Sequence, residues 1–275
     1  MKVKEQDVIY EGVIDYYNER VRIDTYSGNG NTLVEVVDKL TMEIQATKQI
    51  LQVRKEQLLS FLRVGYMIEA IIPGYFLGSD GYYLAKYRTN DRRNSNYWLK
   101  EEEILASVRQ LVCTVDGSIP LDYKVRKATT ADCDELASLY RTVFQIYPTP
   151  LHDVNYIRKT MTSDTDYFVV EKDGVIVSTA SAEINSLQRN AEITNCATLQ
   201  EHRKQGLMKA LVKSLEEELV HKSIFCIFSI ARSLSYGINA TFQQLGYQYQ
   251  GRLTNNCYIY DKLEDMNVWV KDLSI

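Results

Sequence analysis

The sequence predicts an α+β chain, and three stretches carry that reading. Ala191 to Thr198 is strand-like; a polar turn, Arg203-Lys204-Gln205-Gly206, follows, then a helix with Leu207, Leu211, Val212, Leu215 and Leu219 on one stripe. Asp166 to Glu171 and Val175 to Glu183 read as a hairpin over Lys172-Asp173-Gly174. Phe61 to Tyr66 and Phe242 to Tyr247 share F-x-x-[VL]-G-Y, each between a strand–helix pair and two closing strands. That echo points to duplicated half-domains as readily as to chance.

Taken in order, Val8 to Ile14 and Glu19 to Asp24 are short strands, and Ser27-Gly28-Asn29-Gly30-Asn31 is a flexible turn. Thr32 is the candidate cap of a helix that turns Leu33, Val36, Val37, Leu40 and Ile44 inward. Gln49 to Val53 is a strand and Lys55 to Arg63 a short helix. Tyr66 to Ile72, broken by Pro73-Gly74, and Tyr82 to Tyr87 are strands. Lys100 to Leu111 is helical, with Glu101-Glu102-Glu103 as a solvated first turn. Asp116-Gly117-Ser118-Ile119-Pro120 marks a domain boundary, giving a module over 1–115, a linker over 116–122 and a second domain over 123–275.

The second half opens with strand Tyr123 to Lys127. A helix after Thr130 shows Leu136, Leu139, Tyr140 and Val143 on one face. Pro148 and Pro150 force a loop before a helix near Asp153 to Met161. Beyond the strand–turn–helix, Ser223 to Ile230 is a continuously apolar buried strand. Helix Ser233 to Leu245 and strands Tyr247 to Leu253 and Asn267 to Leu273 close the chain.

Composition narrows the function. With 275 residues, 45% hydrophobic and 25% charged, the chain has ample length for a core. A net charge of -4 gives no basic field for nucleic acid or an anionic membrane. The opening MKVKEQD has no apolar h-region and no run reaches membrane-spanning length, so a cytoplasmic protein is expected. Cys113, Cys133, Cys196, Cys226 and Cys257 are odd in number and never in C-x-x-C spacing, which argues for free thiols and against a metal site. Nucleophile-elbow and phosphate-binding G-K-[ST] motifs are missing, leaving hydrolase and NTPase readings unsupported.

A strand–turn–helix junction is an anion seat, because the helix's first amides lack intrahelical partners and Gly206 keeps a Cβ out of the way. Arg203-Lys204-Gln205-Gly206-Leu207-Met208 resembles the Q/R-x-x-G-x-G/A motif of the GNAT acyltransferases, with Met208 in place of the small last residue and Lys204 where Gly is frequent. The resemblance implies a mixed, mostly antiparallel central sheet flanked by helices, with residues 1–115 as an α/β module like a GNAT half that lacks this motif. It implies acetyl-CoA as co-substrate. Its pyrophosphate would lie on the main chain of Arg203, Lys204, Gln205, Gly206, Leu207 and Met208, and its pantetheine arm along Ala197, Thr198 and Leu199. The Thr198 amide would donate to the thioester oxygen, and Asn239 resembles the family's motif B Asn, displaced along its helix.

Moving an acetyl group from a thioester to an amine requires a neutral amine, and a lysine-like amine with pKa ~10.4 is about 10³-fold short of that form at pH 7. A base or a desolvating pocket must make up the difference. Ala191-Glu192-Ile193-Thr194-Asn195-Cys196-Ala197 resembles the A-E-I-x-x-C-A strand of histone-type members, which nominates Glu192 as general base acting through water; a solvated strand carboxylate is the ordinary alternative. Asn195, two residues on and on the face of Ile193, is a candidate cleft residue. The family's usual tyrosine acid is replaced by Phe242, leaving Tyr236 and Tyr258 as substitute acids among 20 tyrosines.

Gly65-Tyr66-Met67-Ile68-Glu69-Ala70, Pro73-Gly74-Tyr75-Phe76, Ala231-Arg232, Tyr236-Gly237-Ile238-Asn239, Gly251 to Asn256 and Asp265-Met266-Asn267-Val268-Trp269 extend the likeness along nearly the whole chain. In these the chain resembles the bacterial and archaeal β-lysine N-acetyltransferases. That implies acetylation of the ε-amine of β-lysine to Nε-acetyl-β-lysine, a compatible solute. For such a substrate Arg232 is the candidate cation for the carboxylate, and Asn255 or Asn256 the acceptor for the β-ammonium. A small-molecule amine is the expected partner, with no nucleic acid, membrane or metal and with a homodimer as an allowed assembly. The alternatives are a GNAT enzyme for another small or protein amine and a CoA-binding sensor without turnover.

Overall fold

The computed structural model describes residues 1–5, 7–114, 117–144, 149–259 and 261–274, so Asp116 and Pro148 lie outside the described residues. Its first half supplies β1 (Lys2–Glu5), β2 (Val8–Asp15), β3 (Arg20–Gly28), α1 (Gly30–Glu43), β4 (Lys48–Arg54), α2 (Leu58–Arg63), β5 (Met67–Phe76), β6 (Ser79–Tyr87), α3 (Asn90–Arg93) and α4 (Trp98–Arg109). Its second half supplies β7 (Tyr123–Lys127), α5 (Cys133–Val143), α6 (Val154–Met161), β8 (Thr165–Lys172), β9 (Val175–Asn185), β10 (Asn190–Thr198), α7 (Leu207–His221), β11 (Cys226–Arg232), α8 (Tyr236–Gln244), β12 (Gln248–Ile259) and β13 (Lys262–Asp272).

These strands form one 13-stranded sheet in the order β1-β2-β3-β4-β6-β5-β12-β13-β11-β10-β9-β8-β7. The order β2-β3-β4-β6-β5 is repeated as β9-β10-β11-β13-β12, and the two runs meet where β5 pairs antiparallel with β12. Within each run a helix carries the chain from one strand to a parallel neighbour: α1 between β3 and β4, α7 between β10 and β11. Gly251 makes the junction. It lies opposite Ala70 with φ 141°, and a Cβ on it would come within 2.2 Å of the Glu69 carbonyl oxygen.

Strand alternation sorts the sheet's faces. Val21, Ile23, Leu51 and Val53 pack with Leu33, Val36, Val37 and Phe61 under α1 and α2. Ala191, Ile193 and Ile227 pack with Leu207, Leu211, Leu215 and Phe242 under α7 and α8, and α4 contributes Leu105 and Val108 to that same core. A third cluster belongs to both halves: Ile50, Ile72, Tyr75 and Tyr83 with Phe228, Leu253, Met266 and Val268.

Several local expectations differ. Pro73-Gly74 does not end β5 but shifts its register between Ile72 and Phe76. The displaced tip then crosses to the second half: Tyr75 O accepts from Asn190 Nδ2 at 2.6 Å, and Leu77 N–H donates to Gln188 O at 3.1 Å. Asn29, not Thr32, caps α1, because its Oδ1 accepts the Asn31 amide at 2.9 Å while Thr32 lies inside the helix. Ser27 and Gly28, read as turn, finish β3. Glu101 is fully buried rather than solvated: it lies beside Asp265 and accepts from Ser95 Oγ at 3.1 Å. The hairpin over Asp173-Gly174 holds as expected, with positive φ at both residues.

Candidate active site

Between β10 and α7 the chain makes an exposed turn in which Lys204 and Gly206 take positive φ, 64° and 78°. The first bond into the helix runs from Ala210 N–H to Gly206 O at 3.2 Å. The amides of Gly206, Leu207, Met208 and Lys209 therefore open outward with no backbone acceptor among the described residues. A Cβ built on Gly206 would be in ordinary contact with Ser118 O at 3.5 Å, its nearest atom. Leu207 is buried in the core, so there only the main chain can meet a ligand, while half-buried Met208 packs against that core. Arg203 folds back, its Nε donating to Thr198 O at 3.2 Å, while Lys204 and Gln205 stay exposed.

The strand leading to this turn is bent. β10 pairs with β11 only over Asn190, Ala191 and Glu192, then a bulge between Thr194 and Ala197 shifts its pairing with β9. β11 meanwhile continues along β13 to Arg232, so the two strands part just past Glu192. Asn195 to Thr198 thus present main chain to a gap with no strand partner on the β11 side among the described residues. An extended amide-bearing chain fits such an edge. Asn195 takes φ 53° at the bulge, and this turns its side chain away from the face of Ile193. Its Nδ2 donates to Ser181 Oγ at 2.9 Å, on the face that carries Glu183 and Glu192.

Glu192 lies at the fork. Its register partners are Glu183 on β9 and Phe228 on β11. Burial first, then repulsion from Glu183, pushes its carboxyl up to about 8, against the attraction of Arg22. Arg22 comes from β3 of the first half. Its Nε lies 2.6 Å from Asp24 Oδ1, and Gln52 Nε2 reaches Asp24 at 3.5 Å and Tyr83 Oη at 2.7 Å. The Tyr75 hydroxyl donates to the Gln52 carbonyl, and the Tyr75 ring lies 5.6 Å from Phe228, the strand neighbour of Glu192. First-half polar residues therefore wall the cleft that holds Glu192. Half-buried Glu192 beside the exposed Glu183 forms an arrangement able to accept a proton near pH 8.

Other candidates fall elsewhere. Tyr236 starts α8 and is exposed; Tyr258 meets Tyr17, ring centroids 5.9 Å apart, and its amide donates to Asn18. Neither contacts Glu192 among the described contacts. Asn239 is buried and fully employed, donating to Arg232 O and Ser235 O and accepting from Asn267 Nδ2 and Trp269 Nε1. Arg232 is held by buried Glu264 at 2.8 and 3.0 Å. Asn255 donates to the Asp91, Arg92 and Asn94 carbonyls, and Asn256 O accepts from Arg20 and Arg92, so both tie the halves together. Sequence reasoning missed Arg22, Asp24, Gln52 and Glu183. The available signal was Arg20, Arg22 and Asp24 alternating with Val21 and Ile23, charge on one face of a strand whose other face is core.

Comparison with known proteins adds to this geometry. Residues 133–247 match the Acetyltransferase (GNAT) family. The chain is 35% identical to N-acetyltransferase YodP of Bacillus subtilis, over 94% of each. It is 40% identical to the beta-lysine N(6)-acetyltransferase of Methanosarcina mazei, over 76% of this chain and 85% of that one. With the beta-lysine N(6)-acetyltransferase of Methanococcus maripaludis it shares 32% identity over 92% and 93%.

Proposed function

Given that the chain belongs to the GNAT acetyltransferase family, and is thus an N-acetyltransferase using acetyl-CoA, we propose that its acceptor is the ε-amine of β-lysine and its product Nε-acetyl-β-lysine, a neutral compatible solute. The names of two relatives support the acceptor. The observation that carries the chemistry is Glu192, a carboxyl raised to about 8 at the point where β10 and β11 part.

The residues present suit the co-substrate. The amides of Gly206 to Lys209 would hold its diphosphate, and the edge of Asn195 to Thr198 that lacks a strand neighbour on the β11 side would take its amide-bearing arm. Bound there, acetyl-CoA supplies an acetyl thioester, and amide formation releases the thiol. Glu192 takes the proton that the ammonium must lose, directly or through one water, and burial keeps its basicity high enough to do so near pH 8. Phe228 and Tyr75 exclude water from one side of that exchange.

The test is thiol release from acetyl-CoA across β-lysine, α-lysine, spermidine and a lysine peptide. The expected result is a kcat/KM for β-lysine at least tenfold above the others, with acetyl on the ε-nitrogen by NMR. Equal rates across the panel would reject the acceptor assignment, and no release with any amine would reject the enzymatic reading.

A further inference from the structure

We propose that Arg22 and Asp24, on β3 of the first half, are the recognition pair for the amino-acid end of the substrate, Arg22 binding its carboxylate and Asp24 its second ammonium. This rests on the acceptor reading above and deepens it.

The geometry places the pair in the cleft from a distant part of the chain. Arg22 and Asp24 are two residues apart on a strand, hence on one face, and Val21 and Ile23 occupy the other against α1. That face continues through Gln52 and Tyr83 to Tyr75, whose ring meets Phe228 beside Glu192. The guanidinium lies close enough to Glu192 and Glu183 for its charge to act on both. In the repeated strand order β3 corresponds to β10, and alignment on the first pairs of β3–β4 and β10–β11 sets Arg22 opposite Glu192 in position. The two halves thus contribute one cation and one base from equivalent sites.

Charge argues the same way. Asp24 holds the guanidinium from the Nε side, and Nη1 has no partner among the described residues, so one donor edge is open. Group by group, the cleft offers one cation, Arg22, and three carboxylates, Asp24, Glu183 and Glu192. A diamino monocarboxylate has one carboxylate to meet the first and two ammoniums to meet the others. A simple diamine, with no carboxylate, leaves the open Nη1 edge of Arg22 without an acceptor. Arg232, the candidate for this task from sequence, pairs with Glu264 in the same two-bond manner but, unlike Arg22, is not among the leading charges acting on Glu192.

The experiment compares KM and kcat for β-lysine with those for 1,4-diaminopentane, which keeps both amines at the same spacing and lacks only the carboxylate, in wild type, Arg22→Gln, Arg22→Lys and Asp24→Asn. Wild type should favour β-lysine, and Arg22→Gln should collapse the kcat/KM ratio of the two amines by about 10–10²-fold through KM, the scale of a charged hydrogen bond. Arg22→Lys should restore part of it. Asp24→Asn should raise KM for both amines, since both carry the second ammonium. Thermal stabilisation by CoA serves as the check that each variant folds; if Arg22→Gln fails it, Arg22→Lys carries the readout, and if Asp24→Asn fails it, Asp24→Glu replaces it. A ratio that stays at the wild-type value in Arg22→Gln and Arg22→Lys overturns the proposal while leaving acetyl transfer intact. A wild type that turns over neither amine defeats the acceptor reading instead.

Discussion

At the scale of single residues, the proposed chemistry turns on one carboxylate. Glu192 could be nominated because its local string is distinctive and its strand is strongly patterned. Its environment was not, because Arg22 and Tyr75 approach from more than a hundred residues away, and only the folded sheet brings them near. Asn195 was misassigned in orientation for a local reason: strict alternation fails at a bulge, and a bulge has no reliable signature in a single sequence. The raised carboxyl fixes a sign. The base must be ionised, so rate should climb with pH up to about 8 and level off above it. Glu192→Gln should lower kcat by roughly 10²–10⁴-fold and flatten that limb, as read from kcat between pH 6 and 9.5. An unchanged profile in the variant would remove Glu192 from the mechanism. The same shift works against stability: the carboxyl ionises from its ordinary value of 4.5 when unfolded but holds its proton to about 8 when folded, so stability falls between those pH values and levels off above them.

At the scale of elements, the informative contrast lies between α7 and α1. Both follow a strand and lead to a parallel neighbour, yet their N-termini differ. At α1, Asn29 caps the helix and donates to the Asp7 carboxylate at 3.1 Å, and Thr32 also reaches that carboxylate and holds it below its usual range. The anion seat of the first half is filled by the chain itself. At α7 no side chain caps the helix and Gly206 leaves the amides open. The turn was readable from sequence, since Arg-x-x-Gly before an amphipathic run states it. The plugging of α1 was not, because Ser27 to Asn31 looks equally Gly-rich and Asp7 sits two strands earlier. Gly206→Val should weaken CoA binding by about tenfold or more in calorimetry, since a β-branched residue resists φ 78° and fills the approach. Unaltered affinity would show that the diphosphate rests elsewhere.

At the scale of the molecule, the first half is a wall of the cleft as well as a neighbour of it. Element types were largely visible in periodicity, and the shared F-x-x-[VL]-G-Y strings now fall at matching places in two runs of the same strand order. What periodicity could not convey is how the runs join. Lys48 is buried with Glu69 at 2.9 Å and donates to Thr254 O at 2.8 Å, and Arg92 donates to Asn18 O and Asn256 O. Read singly, these charges look like surface. They are contacts between halves, as is Glu101, whose carboxyl burial and nearby Asp265 push up. Gly251 at the β5–β12 seam admits no side chain, so Gly251→Ala should cost about 1–3 kcal/mol or more and lower the Tm. It should reduce amine affinity more than CoA affinity, because the wall moves and the donor turn does not. Equal loss of both would mean that the seam merely stabilises the fold.

The central claim is that one donor site and one acceptor cleft are assembled from both halves around Glu192. A crystal structure with CoA and β-lysine bound tests it most directly. The account predicts one CoA per chain with its diphosphate on the amides of Gly206 to Lys209, and the ε-nitrogen facing Glu192 with β3 and Tyr75 around the rest of the amine. A nucleotide at α1, or an amine bound away from Glu192 without first-half contacts, would contradict it.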